Sequence, residues 1–90
     1  MIIHTETATG ITNDLPSLRK AVDSANHPAL FLVDTVAAAG TVDYQMDNWG
    51  IDVTVTASQK GLMMPPGLGI VAANAKALRV HQHSTMPKLY

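Results

Sequence analysis

Ninety residues, 47% of them hydrophobic and 14% charged, bound this protein to at most one small domain. A formal net charge of −1 without a run of like charges excludes a basic nucleic-acid-binding face, and the lack of cysteine excludes disulfides and thiolate metal sites. No apolar run reaches the ~18 residues of a membrane span, and Met1-Ile2-Ile3-His4 lacks the features of a signal peptide, so a cytoplasmic protein is expected.

Met1–Thr5 reads as a short strand, entered abruptly, and the small polar Thr7-Ala8-Thr9-Gly10 as a loop. Asn13 or Asp14 can cap a helix with Pro16 in its first turn. Leu15, Leu18, Val22 and Ala25 recur at helical spacing on one face, and Asn26-His27-Pro28 ends it. Ala29–Val33 is a continuous apolar run closed by Asp34, the pattern of a parallel strand buried on both sides. Residues 37–48 carry no clear period, although a helical turn near Tyr44–Trp49 is expected. Asp52–Ala57 alternates β-branched residues and predicts the next strand. Ser58-Gln59-Lys60 stands at its end, Pro65-Pro66-Gly67 makes a rigid turn, and Leu68–Ala73 is a fourth strand. Asn74 caps a helix from Ala75 to about His83, and Ser84–Tyr90 is expected to be irregular.

This order predicts an α/β fold, a mostly parallel sheet with helices. Long crossovers separate the first three strands, whereas the fourth follows too closely for one, so the last strand is expected antiparallel. A chain of this size buries only about 60–65% of its unfolded surface. Its apolar composition therefore predicts faces that further chain or another subunit would cover.

Ligands of parallel sheets bind beyond the carboxyl ends of the strands. The Glu6–Thr9 loop, Asp34 and Ser58-Gln59-Lys60 are the polar groups expected there. A hydroxyl, a carboxylate and a lysine around one pocket suit an aldehyde cofactor with a basic ring nitrogen. The geometry of strand ends alone leaves other α/β proteins open.

Five motifs narrow the choice. His4-Thr5-Glu6-Thr7-Ala8-Thr9-Gly10, Leu32-Val33-Asp34-Thr35-Val36 and Asp47-Asn48-Trp49-Gly50-Ile51-Asp52 follow one another. Ser58-Gln59-Lys60 with Pro65-Pro66-Gly67, then Met86-Pro87-Lys88-Leu89-Tyr90, complete the series. In this order the chain resembles the fold-type I, class V pyridoxal-phosphate aminotransferases of the serine–glyoxylate and alanine–glyoxylate group. The resemblance implies that residues 1–90 are part of the large, cofactor-binding domain of such an enzyme. It implies pyridoxal 5′-phosphate as cofactor, a small amino acid and a 2-oxo acid as substrates, and a homodimer. Lys60 is the implied Schiff-base lysine and proton shuttle, and Asp34 the partner of the pyridinium nitrogen. Val36 is implied to pack on the ring, Thr7 to bond its substituents, and Gln59 to bind the phosphate. Ala8 stands where many relatives have Ser, and Ala57 where many have Gly. The family's glycine-rich phosphate loop, its ring-stacking aromatic and its carboxylate-binding arginine have no counterpart in this sequence.

Three other readings remain. A related lyase or desulfurase usually has His before the lysine, where this chain has Gln59. A truncated, inactive remnant fits the missing parts. A nucleotide-binding module would need a glycine-rich loop entering a helix, yet Gly67-Leu68-Gly69 enters a strand. His4 is expected to be a packed strand-end histidine and Trp49 a core or interface anchor. His81 and His83, two apart on a helix, face different directions and do not form a metal pair.

Overall fold

The computed structural model describes residues 1–87. Chain order is β1 (Ile2–Ile3), α1 (Leu15–Ser24), β2 (Leu32–Asp34), β3 (Val53–Ala57), β4 (Gly69–Ala73) and α2 (Ala75–His83). The strands form one sheet in the same spatial order, with β1, β2 and β3 parallel and β4 antiparallel to β3. Both the layered α/β class and the reversed last strand are therefore as the sequence predicts. Lys88-Leu89-Tyr90, the end of the fifth motif, lies outside the described residues.

Both helices start where the caps stand. The Asp14 carboxylate accepts from Ser17 N at 3.1 Å, with Pro16 in the first turn of α1. Asn74 Oδ1 accepts from Ala77 N at 2.8 Å at the start of α2. Each cap satisfies an amide that the helix itself cannot.

One face of the sheet builds the core. Leu15 of α1 packs with Phe31, Val33 and Ile51, and Ile2, Leu18, Tyr44, Met46 and Trp49 close around them. The crossover 37–50 covers this face without a regular helix. Separate helical turns form there, with Val42 N donating to Ala38 O at 3.1 Å and Trp49 N to Gln45 O at 2.9 Å. Strand β2 is shorter than the apolar run suggests, because Phe31 N donates to the Asp52 carboxylate at 2.7 Å and not to a neighbouring strand.

Asp52 is buried at the amino end of β3 and gathers four donor groups. Besides Phe31 N, its carboxylate accepts from Asn74 Nδ2 at 2.9 Å and Lys76 Nζ at 3.2 Å, with Arg19 Nη1 at 3.9 Å. Arg19 also pairs with Asp23 and lies over the Phe31 ring. Burial alone would raise the Asp52 pKa, but the bonds from Phe31, Asn74 and Lys76 outweigh it and hold the carboxyl below its ordinary value.

His4 is also buried, with its ring 5.6 Å from Tyr44 and 6.0 Å from Trp49, as a packed strand-end histidine should be. Its Nδ1 is buried without a hydrogen-bond partner among the described residues. Burial pushes its pKa below the ordinary value, and the Asp43 carboxylate offsets this only in part.

The opposite face and the β4 edge are open. All five residues of β4 are exposed, Val71 at 67%, and Leu78 and Val80 of α2 are exposed beside them. This is the uncovered apolar surface that composition predicts.

Two outcomes are expected. Asp52→Ala strands the buried Phe31 N, removes one of the two bonds of Asn74 Nδ2, and destabilises the chain by about 3 kcal/mol or more in urea unfolding. Because the Asp52 pKa is lowered by folding, its contribution is complete above its unfolded value and fades as pH falls through the folded one. His4 is likewise depressed, so its stabilising share is complete above about pH 6.5 and declines as pH falls from there. The urea midpoint should drop between about pH 7.5 and pH 5.5, and His4→Phe should flatten that drop.

Candidate functional site

Parallel pairing brings the carboxyl ends of β1, β2 and β3 to one end of the sheet. Ile3 is level with Asp34, and Asp34 with Val55. The chain leaves all three strands there: into the Glu6–Thr9 loop, into the turn beginning at Thr35, and into Ser58-Gln59-Lys60. The polar groups expected at one pocket thus share one end of one sheet.

The first loop closes tightly. Glu6 N donates to Ile11 O at 2.9 Å and Gly10 N to Glu6 O at 2.8 Å, while the Glu6 carboxylate accepts from Ala8 N and Thr9 Oγ1 from Ile11 N. Glu6 and Thr9 therefore serve the loop's own backbone. Thr7 is exposed, and its hydroxyl makes no hydrogen bond among the described residues.

Asp34 is half-buried on the sheet face opposite Val33, hence away from the α1 core. Oδ1 accepts from Val36 N at 2.8 Å, capping the turn that follows. No described residue donates to Oδ2. One oxygen is thus held by backbone, which orients the carboxylate and leaves the other for a cationic N–H. Val36 is half-buried beside it.

After β3 the chain divides its polar groups. Ser58 is fully buried: its Oγ donates to Pro65 O at 2.6 Å and accepts from Leu68 N at 3.4 Å. Ser58 N donates to Leu68 O and Ser58 O accepts from Met64 N, both at 3.1 Å. Ser58, expected among the polar groups at this strand end, is the pin of the Pro65-Pro66-Gly67 turn. Gln59 and Lys60 remain exposed, and Lys60 Nζ pairs with no carboxylate among the described residues. Lys60 O accepts from Met63 N at 2.9 Å, and Met63 takes the left-handed backbone at φ 53°. A non-glycine residue there signals local strain beside the lysine.

Sequence reasoning missed two residues that shape this end. Gly40, at φ +80°, and Gly61 press backbone against backbone. Only their turn chemistry could have pointed to them, since the contact is between segments about twenty residues apart in sequence. Chemically, the arrangement offers an accessible amine, an oriented carboxylate and two polar side chains, Thr7 and Gln59, without hydrogen bonds among the described residues.

Comparison with known proteins puts a family on this arrangement. The family model described as aminotransferase class-V matches residues 1–86. The L-aspartate–glyoxylate aminotransferase of Paracoccus denitrificans is 47% identical over 87 residues, 97% of this chain and 22% of that protein. The serine–glyoxylate aminotransferase of Arabidopsis thaliana is 49% identical over 89 residues, 99% of this chain and again 22% of the relative. Among solved structures, an aspartate aminotransferase of Thermus thermophilus superposes with a TM-score of 0.82 at 40% identity, over 87% of this chain and 22% of that one. The chain therefore spans about 22% of the length of the curated relatives it matches. Motif order, sheet topology and near-complete coverage by one family model agree, and the chain belongs to the class-V aminotransferase family.

Proposed function

We propose that this chain is the lysine-bearing part of the large domain of a pyridoxal-phosphate aminotransferase that moves the amino group of serine or alanine to glyoxylate. The supporting observation is the shared sheet end of Asp34 and the Ser58–Lys60 turn, in a chain of this family. Glyoxylate as acceptor draws support from the names of the Paracoccus and Arabidopsis relatives, which differ in their donor. Gln59 before the lysine favours transfer over lyase or desulfurase chemistry. A cytoplasmic location is part of the same reading; among the described residues no helix is long and apolar enough to cross a membrane.

The donor set fits the cofactor. Lys60 Nζ, unpaired and accessible, would hold the aldehyde carbon and then carry the proton from the substrate carbon as a general base. Oδ2 of Asp34 would accept from the protonated ring nitrogen, while Oδ1 stays on Val36 N. Val36 would pack against the ring, Thr7 Oγ1 would bond its substituents, and the Gln59 amide would donate to the phosphate. When bound, pyridoxal 5′-phosphate supplies the electron sink that stabilises the charge left by proton removal.

Borohydride reduction of the chain with pyridoxal phosphate, followed by peptide mass mapping, should place the label on Lys60 and spare Lys20, Lys76 and Lys88. Lys60→Ala should abolish adduct formation, and Asp34→Ala should weaken it about tenfold or more. Amino transfer retained by the Lys60 variant would overturn the lysine's role. Scattered or absent label would favour the inactive remnant.

The open β4 edge supports a homo-oligomer. Ser58 N bonds Leu68 O and Asn74 N bonds Asp52 O, so Gly69, Val71 and Ala73 direct their N–H and C=O groups outward. The strand carries no charge or proline to discourage pairing. Sedimentation velocity at micromolar concentration should show association, and Val71→Lys should shift the chain toward monomer.

A further inference from the structure

The Lys60 turn meets the turn that follows Asp34 mainly through backbone. A Cβ added to Gly61 would stand well inside 3.0 Å of Ala39 O and 2.6 Å from Thr41 Cγ2. A Cβ added to Gly40 would stand 2.9 Å from Gly61 O. Each glycine thus turns its hydrogen-only side to a carbonyl of the other segment, in the geometry of weak Cα–H···O contacts. Real Cβ atoms do not approach so closely, and the obstructing atoms are mainly backbone, which cannot swing aside.

The facing turn is stiff. Thr35 O accepts from Ala38 N at 2.9 Å and Ala39 N at 2.7 Å, and Thr41 Oγ1 donates to Ala37 O at 3.1 Å and Ala38 O at 2.9 Å. Ala38 is fully buried beneath it. This turn continues directly from the Val36 N–H that orients the Asp34 carboxylate. On the lysine's other side, the Met63 N–H closes the turn on Lys60 O.

We propose that the Gly40–Gly61 contact is a positioning lock, which sets the root of the Lys60 side chain relative to the Asp34 carboxylate. It rests on the functional reading above and adds two positioning residues to it. The lysine stem is flexible, so its amine can be aimed only if its Cα is held. The Asp34 turn and the lysine turn carry the two groups that must meet one small ring, and backbone makes their closest approach, with the Thr41 methyl beside it. Gly61 lets them touch, and Gly40 supplies the left-handed backbone that brings the carbonyl of Ala39 forward. Inserting one methyl at position 61 would move the lysine root by on the order of 1 Å, a misplacement that costs on the order of 100-fold in oriented chemistry.

The test uses the whole chain, its Gly61→Ala variant, and Gly69→Ala as a control whose added Cβ meets nothing within 4 Å. In the free protein, an NMR cross-peak between the Gly61 α-protons and the Thr41 methyl should be present. With pyridoxal phosphate and borohydride, the ratio of Lys60 to Lys76 adduct should fall at least about tenfold in Gly61→Ala. The cross-peaks of the β2–β3 ladder should persist, which separates a moved lysine from an unfolded chain. Adding Thr41→Ser, which removes the neighbouring methyl and keeps the hydroxyl, should leave the ratio low, because the backbone carbonyl of Ala39 still obstructs the added Cβ. The Gly69→Ala ratio should match the wild type. An unchanged ratio in Gly61→Ala, or a missing Gly61–Thr41 cross-peak, overturns the lock while leaving the functional reading intact. A wild type with no preference for Lys60 overturns the functional reading and the lock's purpose with it.

Discussion

A single buried carboxylate organises the fold. Asp52 takes donors from the start of β2, from the cap of α2 and from a lysine on that helix, while an arginine of α1 stands nearby. A buried charge is tolerated only when hydrogen bonds replace its lost water, and here they do so well enough to keep it ionised. Its demand for partners is directional in a way that apolar packing is not. Phe31 N must meet it, and this fixes β2 against β3 in parallel register. Once that register is set at the amino ends, the carboxyl ends follow. Asp34 then comes level with Val55, and the lysine turn leaves β3 beside it.

The two ends of the sheet thus have different duties. The amino end holds charge in a closed network, with Asp52 buried and its cations partly covered. Among the described residues the carboxyl end leaves polar groups unspent: Thr7, one oxygen of Asp34, Gln59 and Lys60. Groups that could have closed the pocket with side-chain bonds are diverted to backbone, as Ser58 is to Pro65 and Leu68. Backbone contacts between the crossover and the lysine turn then do the holding. This economy suits the proposed site, in which an amine and a carboxylate would serve one cofactor without pairing with each other.

The apolar surface on the far side follows from the same architecture. One sheet face is packed by α1 and the crossover, whereas much of the other, and the whole outer edge of β4, has no cover among the described residues. A sheet this small cannot bury both faces with two helices of nine and ten residues. The relatives are longer than this chain by a factor of more than four, since the match spans 22% of each. Surface left bare here is continuous with a fold that elsewhere has more chain to lay on it.

The order of elements, the caps at Asp14 and Asn74, the reversal of β4 and the strand-end positions of Asp34 and Lys60 were all legible in the sequence. They are local: each depends on a residue's own preference or on spacing within a dozen positions. The identity of the family was legible too, because five motifs keep their order along one chain. Other features were not. The length of β2 depends on Asp52, which comes twenty-one residues after Phe31, and a one-dimensional apolar run carries no trace of that bond. Ser58 was only one of three polar residues at a strand end, and its burial depends on a turn folding back over it. Gly40 and Gly61 looked like ordinary turn glycines until two distant segments were laid in contact. Spacing and chemical type are properties of the chain, and the sequence determined them; which groups stay free and which are consumed is decided by what lies across the sheet, and only the tertiary structure brings those atoms together.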